Sequence, residues 1–102
     1  MPNLTIKTGD GAFAAYLATP KAAQGPGIVV IQEIFGVNAG IRAIADRLAG
    51  EGFAALAPDL FWRLEPNVQL TDKTETEWKT AFDLMTRFDQ EKGIADLKTK
   101  FN

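Results

Sequence analysis

The sequence predicts an α/β fold in which a short β-hairpin precedes a mostly parallel sheet. Two observations predict it. The extended segments "NLTIKT" and "AFAAYLATP" flank "GDG", whose glycines permit the positive φ of a tight hairpin. Further along, the apolar segment "GIVVIQ", a helical pattern and the apolar segment "FAALAPDLF" follow one another. This order is typical of a right-handed βαβ unit whose strands are parallel and buried on both faces.

The helix between these strands is predicted from its cap and its spacing. Asn38 is a suitable N-cap, and Gly50 and Gly52 suit the C-terminal end. Apolar residues recur between them at helical spacing. They are Ile41, Ile44, Ala45 and Leu48.

Two more helices are predicted after a connection with little periodicity. Thr74 and Glu77 have the spacing of a capping box, which marks the start of the first. Its apolar stripe consists of Trp78, Ala81, Phe82, Met85 and Phe88. The second begins at "GIADLKTKF" and carries Ile94, Leu97 and Phe101 on one side. We expect one domain over residues 1–102, because no repeat or linker divides the chain.

Composition excludes several classes of function. The chain has 11 Lys and Arg against 13 Asp and Glu, so no basic surplus favours nucleic acid. No apolar run approaches the roughly 20 residues that span a bilayer, and the N-terminus lacks the pattern of a secretory signal. A cytoplasmic location, without membrane or nucleic-acid partners, is therefore expected.

The absent residue types restrict the chemistry further. The sequence contains no cysteine, histidine or serine. A Ser-His or Cys-His pair, a thiol nucleophile and a zinc site with sulfur or imidazole ligands therefore cannot form within it. The glycine-rich "GDG" and "GPG" do not lie between a strand and a helix, so neither predicts a phosphate site. No metal and no cofactor are predicted.

Glu33 is the carboxylate whose position suggests a function. It follows the apolar strand "GIVVIQ", at the sheet edge where open α/β folds bind ligands. A charge there needs a partner or a role. The alternative is a surface glutamate that pairs with Arg42 or Arg63.

Other candidates have a structural interpretation. Helical carboxylates interspersed with lysines predict solvated faces. They are Asp83, Asp89, Glu91 and Asp96. The aromatic residues Trp78, Phe82 and Phe88 favour a core position over a pocket lining, because an aromatic stripe on a helix is more often buried.

The segment "QEIFGVNAGIRAIADRLAGEGFAALAPDLFWR" resembles the dienelactone hydrolase family, the carboxymethylenebutenolidases of the α/β-hydrolase fold. The similarity is densest between Pro26 and Arg63 and returns in "FDQEKGIADL". The resemblance implies the N-terminal half of a three-layer α/β/α domain. It also implies a hydrolase of small lactones or carboxylic esters that acts through a covalent acyl-enzyme.

The resemblance also implies roles for individual residues. Glu33 would assist the nucleophile, and the backbone N–H of Ile34 would contribute to the oxyanion hole. Phe35, Trp78, Phe82 and Arg63 would line the substrate side. Trp78 and Phe82 stand where dienelactone-processing members place an Arg and a Tyr that hold the substrate carboxylate, which favours a less acidic, more apolar substrate.

The family's nucleophile, on a turn of type Gly-x-Cys-x-Gly, and its Asp and His are expected beyond Asn102. The 102-residue chain alone is therefore expected to be inactive. A sheet that stops after the predicted strands leaves a strand of buried type at an open edge. The alternative function is accordingly a non-catalytic half-domain that binds a complementing chain, a second copy or a small apolar ligand.

Overall fold

The computed structural model describes residues 4–21 and 26–101, with side chains through residue 98. In chain order, the strands and helices are β1 (Leu4–Thr8), β2 (Gly11–Ala18), β3 (Gly27–Val29), α1 (Ala39–Gly50), β4 (Ala54–Pro58), α2 (Glu75–Arg87) and α3 (Gln90–Phe101). The α/β class, the hairpin and all three predicted helices are confirmed. No helix in the described ranges is long and apolar enough to cross a membrane. The Phe101 side chain, predicted to share one side of α3, lies outside the described residues.

The sheet is mixed, with strand order β1-β2-β4-β3. β1 and β2 form an antiparallel hairpin, and β2 also pairs antiparallel with β4. Only β3 and β4 are parallel. The prediction of a mostly parallel sheet is therefore wrong for the described strands, because the hairpin inserts β2 beside β4. The three-layer arrangement stays a prediction.

Both faces of β4 are buried, as its apolar sequence predicts. Ala55 and Ala57 belong to a core beneath α1 that also contains Ile41 and Ala45. Leu56 points the other way, because successive strand residues face opposite sides of a sheet. It packs in a second core that is built mainly from the hairpin.

Local capping chemistry sets the starts of α1 and α2 as predicted. Asn38 Oδ1 accepts a hydrogen bond from Ile41 N at 3.1 Å. Thr74 Oγ1 accepts one from Glu77 N at 3.1 Å, and the Glu77 carboxylate accepts from the Thr74 hydroxyl and from Thr71. Each bond satisfies a backbone or hydroxyl group that the helix itself leaves free.

The buried face of α2 differs from the predicted stripe. Ala81 and Leu84 are its buried residues. Trp78, Phe82 and Met85 are 38%, 47% and 45% exposed. The buried and exposed rows differ by one residue, about 100° around the helix, so apolar periodicity alone cannot say which row faces the core. The prediction that Trp78 and Phe82 are core residues is wrong.

β3 has an open edge, because among the described residues it pairs only with β4. Its ladder ends at Val29, although Val30 N still donates to Leu56 O at 2.8 Å. The next residue, Ile31, is 52% exposed. An apolar strand sequence is thus paired along one side only in the described part of the chain.

Candidate active site

Glu33 begins a tight turn just beyond β3. Gly36 N donates to Glu33 O at 3.2 Å, and Gly36 has φ +80°. A Cβ on Gly36 would lie 2.0 Å from the carbonyl oxygen of Val68, so only glycine fits this close approach. The turn directs the backbone from the end of β3 to the start of α1.

The segment after the turn is fastened to the loop that follows β4. Leu70 N donates to Phe35 O at 2.8 Å, and Asn38 Nδ2 donates to Leu70 O at 2.7 Å. Gly36 also bridges Gln69. Residues 33–38 are therefore held by residues 68–70. Asn38, which contacts Leu70, is also the N-cap of α1.

A buried carboxylate supports the same loop from beneath. Asp59 follows β4 and is 1% exposed. Its Oδ2 accepts from Asn67 N at 2.7 Å, and Asn67 has φ +62°, in the left-handed region. Burial raises the pKa of Asp59, and its hydrogen bonds with the backbone of Asn67 and Phe61 oppose that shift. Asp59 is not among the site residues predicted from the sequence, although its position directly after a buried strand is visible there.

The Glu33 carboxylate has no ion-pair or hydrogen-bond partner within residues 4–21 and 26–101. The two arginines considered as partners are engaged elsewhere. Arg42 Nη1 donates to Val37 O and to Gln69 Oε1. Arg63 pairs with Asp96 and Asp10. The structural alternative for Glu33, a surface ion pair with either arginine, is wrong for the described residues.

Glu33 lines two cavities. The first, about 200 Å³, is largely apolar. Its walls are Ile31, Gln32, Ile34, Leu60, Phe61, Met85 and Phe88. The second, about 400 Å³, lies toward the start of α1 and includes Phe35, Ile44 and Lys73. Ile34, the predicted oxyanion donor, thus lies beside the apolar cavity, and Phe35 beside the second one.

Phe35, Trp78 and Phe82 form a row of aromatic rings. The Phe35 and Trp78 ring centroids are 5.0 Å apart in an edge-to-face arrangement, and Trp78 stacks on Phe82 at 5.5 Å. Trp78 Nε1 donates to Asp72 O at 2.8 Å, which fixes the indole. The structure therefore brings three of the predicted substrate residues together, with Trp78 and Phe82 partly exposed. Their substrate role stays a prediction.

Arg63 lies in a separate ion-pair cluster. Its Nε and Nη2 donate to the two carboxylate oxygens of Asp96 at 3.1 and 2.8 Å, and its Nη1 donates to Asp10 at 2.9 Å. The guanidinium also lies 4.6 Å from the centre of the Trp62 ring. The bond to Asp96 raises the pKa of Arg63 above its usual value. Arg63 borders a cavity whose lining does not include Glu33, and its substrate role stays a prediction.

Asp96 was predicted to be a solvated helical carboxylate, and that prediction is wrong. It is 2% exposed and accepts from Trp62 Nε1 at 2.8 Å as well as from Arg63. Its burial is tolerated because both carboxylate oxygens have charged or N–H donors. Asp83, by contrast, is exposed and pairs with Arg87.

Comparison with known proteins identifies the family that the sequence matches. The sequence profile described as the dienelactone hydrolase family matches residues 13–102. A protein of Azospirillum brasilense assigned as a carboxymethylenebutenolidase is 53% identical over 94 residues, which cover 90% of this chain. Carboxymethylenebutenolidase 1 of Cupriavidus pinatubonensis is 40% identical over 94 residues, which cover 92% of this chain. The chain spans only 41% and 40% of the lengths of these two relatives.

A solved structure is also similar to the fold described above. A Klebsiella pneumoniae protein assigned as a dienelactone hydrolase superposes with a TM-score of 0.73 and 37% identity. The match covers 93% of this chain and 39% of the Klebsiella chain. The described fold therefore corresponds to part of that longer chain.

Proposed function

The chain belongs to the dienelactone hydrolase family, and from this premise we propose that it forms the Glu33-bearing part of a hydrolase of small lactones or carboxylic esters. The observation that carries the proposal is that Glu33, whose carboxylate has no partner among the described residues, lines an apolar cavity together with Ile34. Residues 1–102 would then be one portion of a single dienelactone-hydrolase-like domain.

Glu33 assists the nucleophile in this proposal. A carboxylate without a competing cation can accept a proton from a nucleophile brought within hydrogen-bond distance. The first cavity supplies the place for this, because Glu33 is the acidic residue that borders it and its walls are otherwise mainly apolar. Covering the open side of this cavity would bring its apolar walls around Glu33 and exclude water, which would strengthen electrostatic interactions at the site.

Ile34 N–H stabilises the charge that develops on the attacked carbonyl oxygen. Within the described part of the chain, this N–H donates to no acceptor, so it remains available to a substrate. A preorganised backbone donor of this kind contributes to acyl transfer because its dipole needs no reorganisation during the reaction.

In this proposal the cysteine or serine nucleophile comes from outside this sequence, which contains no cysteine, serine or histidine. The covalent acyl-enzyme therefore forms on another part of the complete enzyme. The aromatic row beside the second cavity offers apolar contact, and Lys73 also borders that cavity. The row supports a substrate with an apolar acyl or alcohol group.

The deciding experiment joins mass and turnover. The native gene product is purified from its own cells, its intact mass is measured, and its hydrolysis of p-nitrophenyl acetate and of a small lactone is assayed. We expect a mass well above 11.1 kDa, turnover, and a large loss of kcat in Glu33→Gln. Glu65→Gln is the matched control, because Glu65 is exposed and lies outside both cavities around Glu33. Absence of turnover in the native product, or equal kcat in both variants, would refute the proposal.

A second candidate is a half-domain that binds a complementing chain. The open edge of β3 favours it, together with exposed apolar residues that surround the first cavity and its neighbour. These are Ile31, Met85 and Ile94, which are 52%, 45% and 54% exposed. A chain that adds a strand to β3 and covers these side chains would satisfy both features. Light scattering of the 102-residue chain, with and without the remaining domain supplied in trans, distinguishes complementation from self-association.

The remaining expectations concern the cellular location of the protein and its macromolecular partners. A cytoplasmic location and independence from nucleic acid and membrane stay predictions from composition. Fractionation of the cells that supply the native product would test the location.

A further inference from the structure

We propose that Gln32 is a positioning residue that aims the Ile34 N–H at the apolar cavity, an inference that rests on the oxyanion role proposed for Ile34. Gln32 lies between the end of β3 and Glu33, and its side chain is half-buried. Gln32 is not among the site residues predicted from the sequence.

The Gln32 side-chain amide bridges the ends of two neighbouring strands. Its Oε1 accepts from Leu60 N at 2.8 Å, and its Nε2 donates to Glu33 O at 3.1 Å. One partner is a donor and the other an acceptor, so they define which end of the amide is oxygen. Because Leu60 follows β4, the bridge joins the carboxyl ends of the parallel pair β3 and β4.

This bridge orients one particular peptide unit. Glu33 C=O and Ile34 N–H belong to the same planar trans peptide, so they point in opposite directions. Two donors, Gln32 Nε2 and Gly36 N, hold the carbonyl. The N–H is thereby turned away from them and, among described residues, finds no acceptor.

The same hydrogen bonds act on the strength of the donor. A peptide whose carbonyl accepts hydrogen bonds is polarised, and its N–H becomes a better donor. Gln32 therefore both orients and polarises the N–H, although its own side chain touches neither substrate nor nucleophile. Leu60, at the other end of the bridge, lines the same cavity as Ile34, so the bridge also keeps two walls of that cavity in register.

Two substitutions distinguish the two hydrogen bonds of the Gln32 side chain. Gln32→Glu retains an acceptor for Leu60 N but removes the donor to Glu33 O, whereas Gln32→Ala removes both. Gln90→Ala is the matched control, because Gln90 is exposed at the start of α3. The first readout is the ¹⁵N–¹H NMR signal of the Ile34 and Leu60 amides in the 102-residue chain.

We expect Gln32→Glu to shift the Ile34 amide while Leu60 stays protected from hydrogen exchange. Acidification through the usual glutamate pKa of about 4.3 returns a donor to that variant. The Ile34 signal should then move toward its parent position, with the parent titrated in parallel as the reference. A merely structural role would not produce this reversal. An Ile34 signal that is insensitive to Gln32→Glu would overturn the inference.

The second readout is catalysis by the complete gene product. Loss of a whole oxyanion donor lowers kcat by about 10²–10³. Misdirection of one should cost at least about ten-fold in kcat, with KM little changed. An inactive parent would count against the proposed function as well as this inference. An active parent whose kcat is unchanged in Gln32→Glu would count against Gln32 alone.

Discussion

Gly36→Ala should destabilise the chain more than any other glycine substitution near the site. Gly36 has φ +80°, and a Cβ would lie 2.0 Å from Val68 O and 2.7 Å from Val68 C. Real Cβ atoms essentially never approach below 3.0 Å, so the Val68 carbonyl must retreat by about 1 Å. Both colliding atoms are backbone, so a side-chain rotation cannot relieve the contact.

The size of the effect has two sources. A left-handed backbone costs a residue with a Cβ roughly 1–2 kcal/mol. Displacement of Val68 also strains the hydrogen bonds from Leu70 N to Phe35 O and from Asn38 Nδ2 to Leu70 O. Each has a net value of about 0.5–1.5 kcal/mol. We expect a total loss of about 2–5 kcal/mol, a large part of a typical domain stability of roughly 5–15 kcal/mol.

Two other glycines separate strain from collision. Gly52 has φ +102° and nothing within 4 Å of its added Cβ, so Gly52→Ala should cost only the strain. Gly50 ends α1 with no neighbour within 4 Å, so Gly50→Ala should be neutral or stabilising by up to about 1 kcal/mol. Urea unfolding followed by tryptophan fluorescence measures all three. A Gly36→Ala variant no less stable than Gly52→Ala would refute the collision argument.

Three further predictions concern stability and can be checked by the same unfolding experiment. Asp96→Asn, which breaks a buried pair, should cost about 3 kcal/mol. Asp83→Asn should cost under about 0.5 kcal/mol, because that pair is exposed, and equal losses would contradict the burial of Asp96. Burial raises the pKa of Asp59, so its contribution is fully present below about pH 3.9 and is lost as the pH rises through the folded pKa. Asp59→Asn should therefore gain stability relative to the parent as the pH rises above about 4, and a difference that stays constant with pH would contradict this. Phe82→Ala, at a 47% exposed position, should cost under about 1 kcal/mol, whereas Leu84→Ala should cost about 2–5 kcal/mol, and the reverse order would restore the predicted stripe.

Features that depend on neighbours in sequence were predictable. Asn38 and Thr74 cap their helices through backbone groups three residues away, so their spacing contains the necessary information. The position of Glu33 beyond β3 was likewise predictable, because the end of an apolar strand run is visible in the sequence. Local chemistry thus located the candidate site to within a few residues.

Features that depend on distant partners were not predictable in this way. Asp96 is buried because Arg63 and Trp62, over thirty residues earlier, meet α3. Asp96 has the same helical, lysine-rich sequence context as the exposed carboxylates. The buried row of α2 depends similarly on where Phe61 and Val68 lie, since they form the cluster that receives Leu84. Periodicity defines a helix but does not orient it toward a core whose other members are still unknown.

The unpaired state of Glu33 links the two proposals. The carboxylate is exposed in the described chain, where water solvates it and its interactions are weak. The surface beside it, which includes Ile31 and Met85, is apolar and borders the open edge of β3. A polypeptide that covers this edge would therefore also remove water from around Glu33. If that polypeptide carries the nucleophile, the contact that completes the sheet is the same one that makes Glu33 an effective base, and folding and catalytic competence arise together.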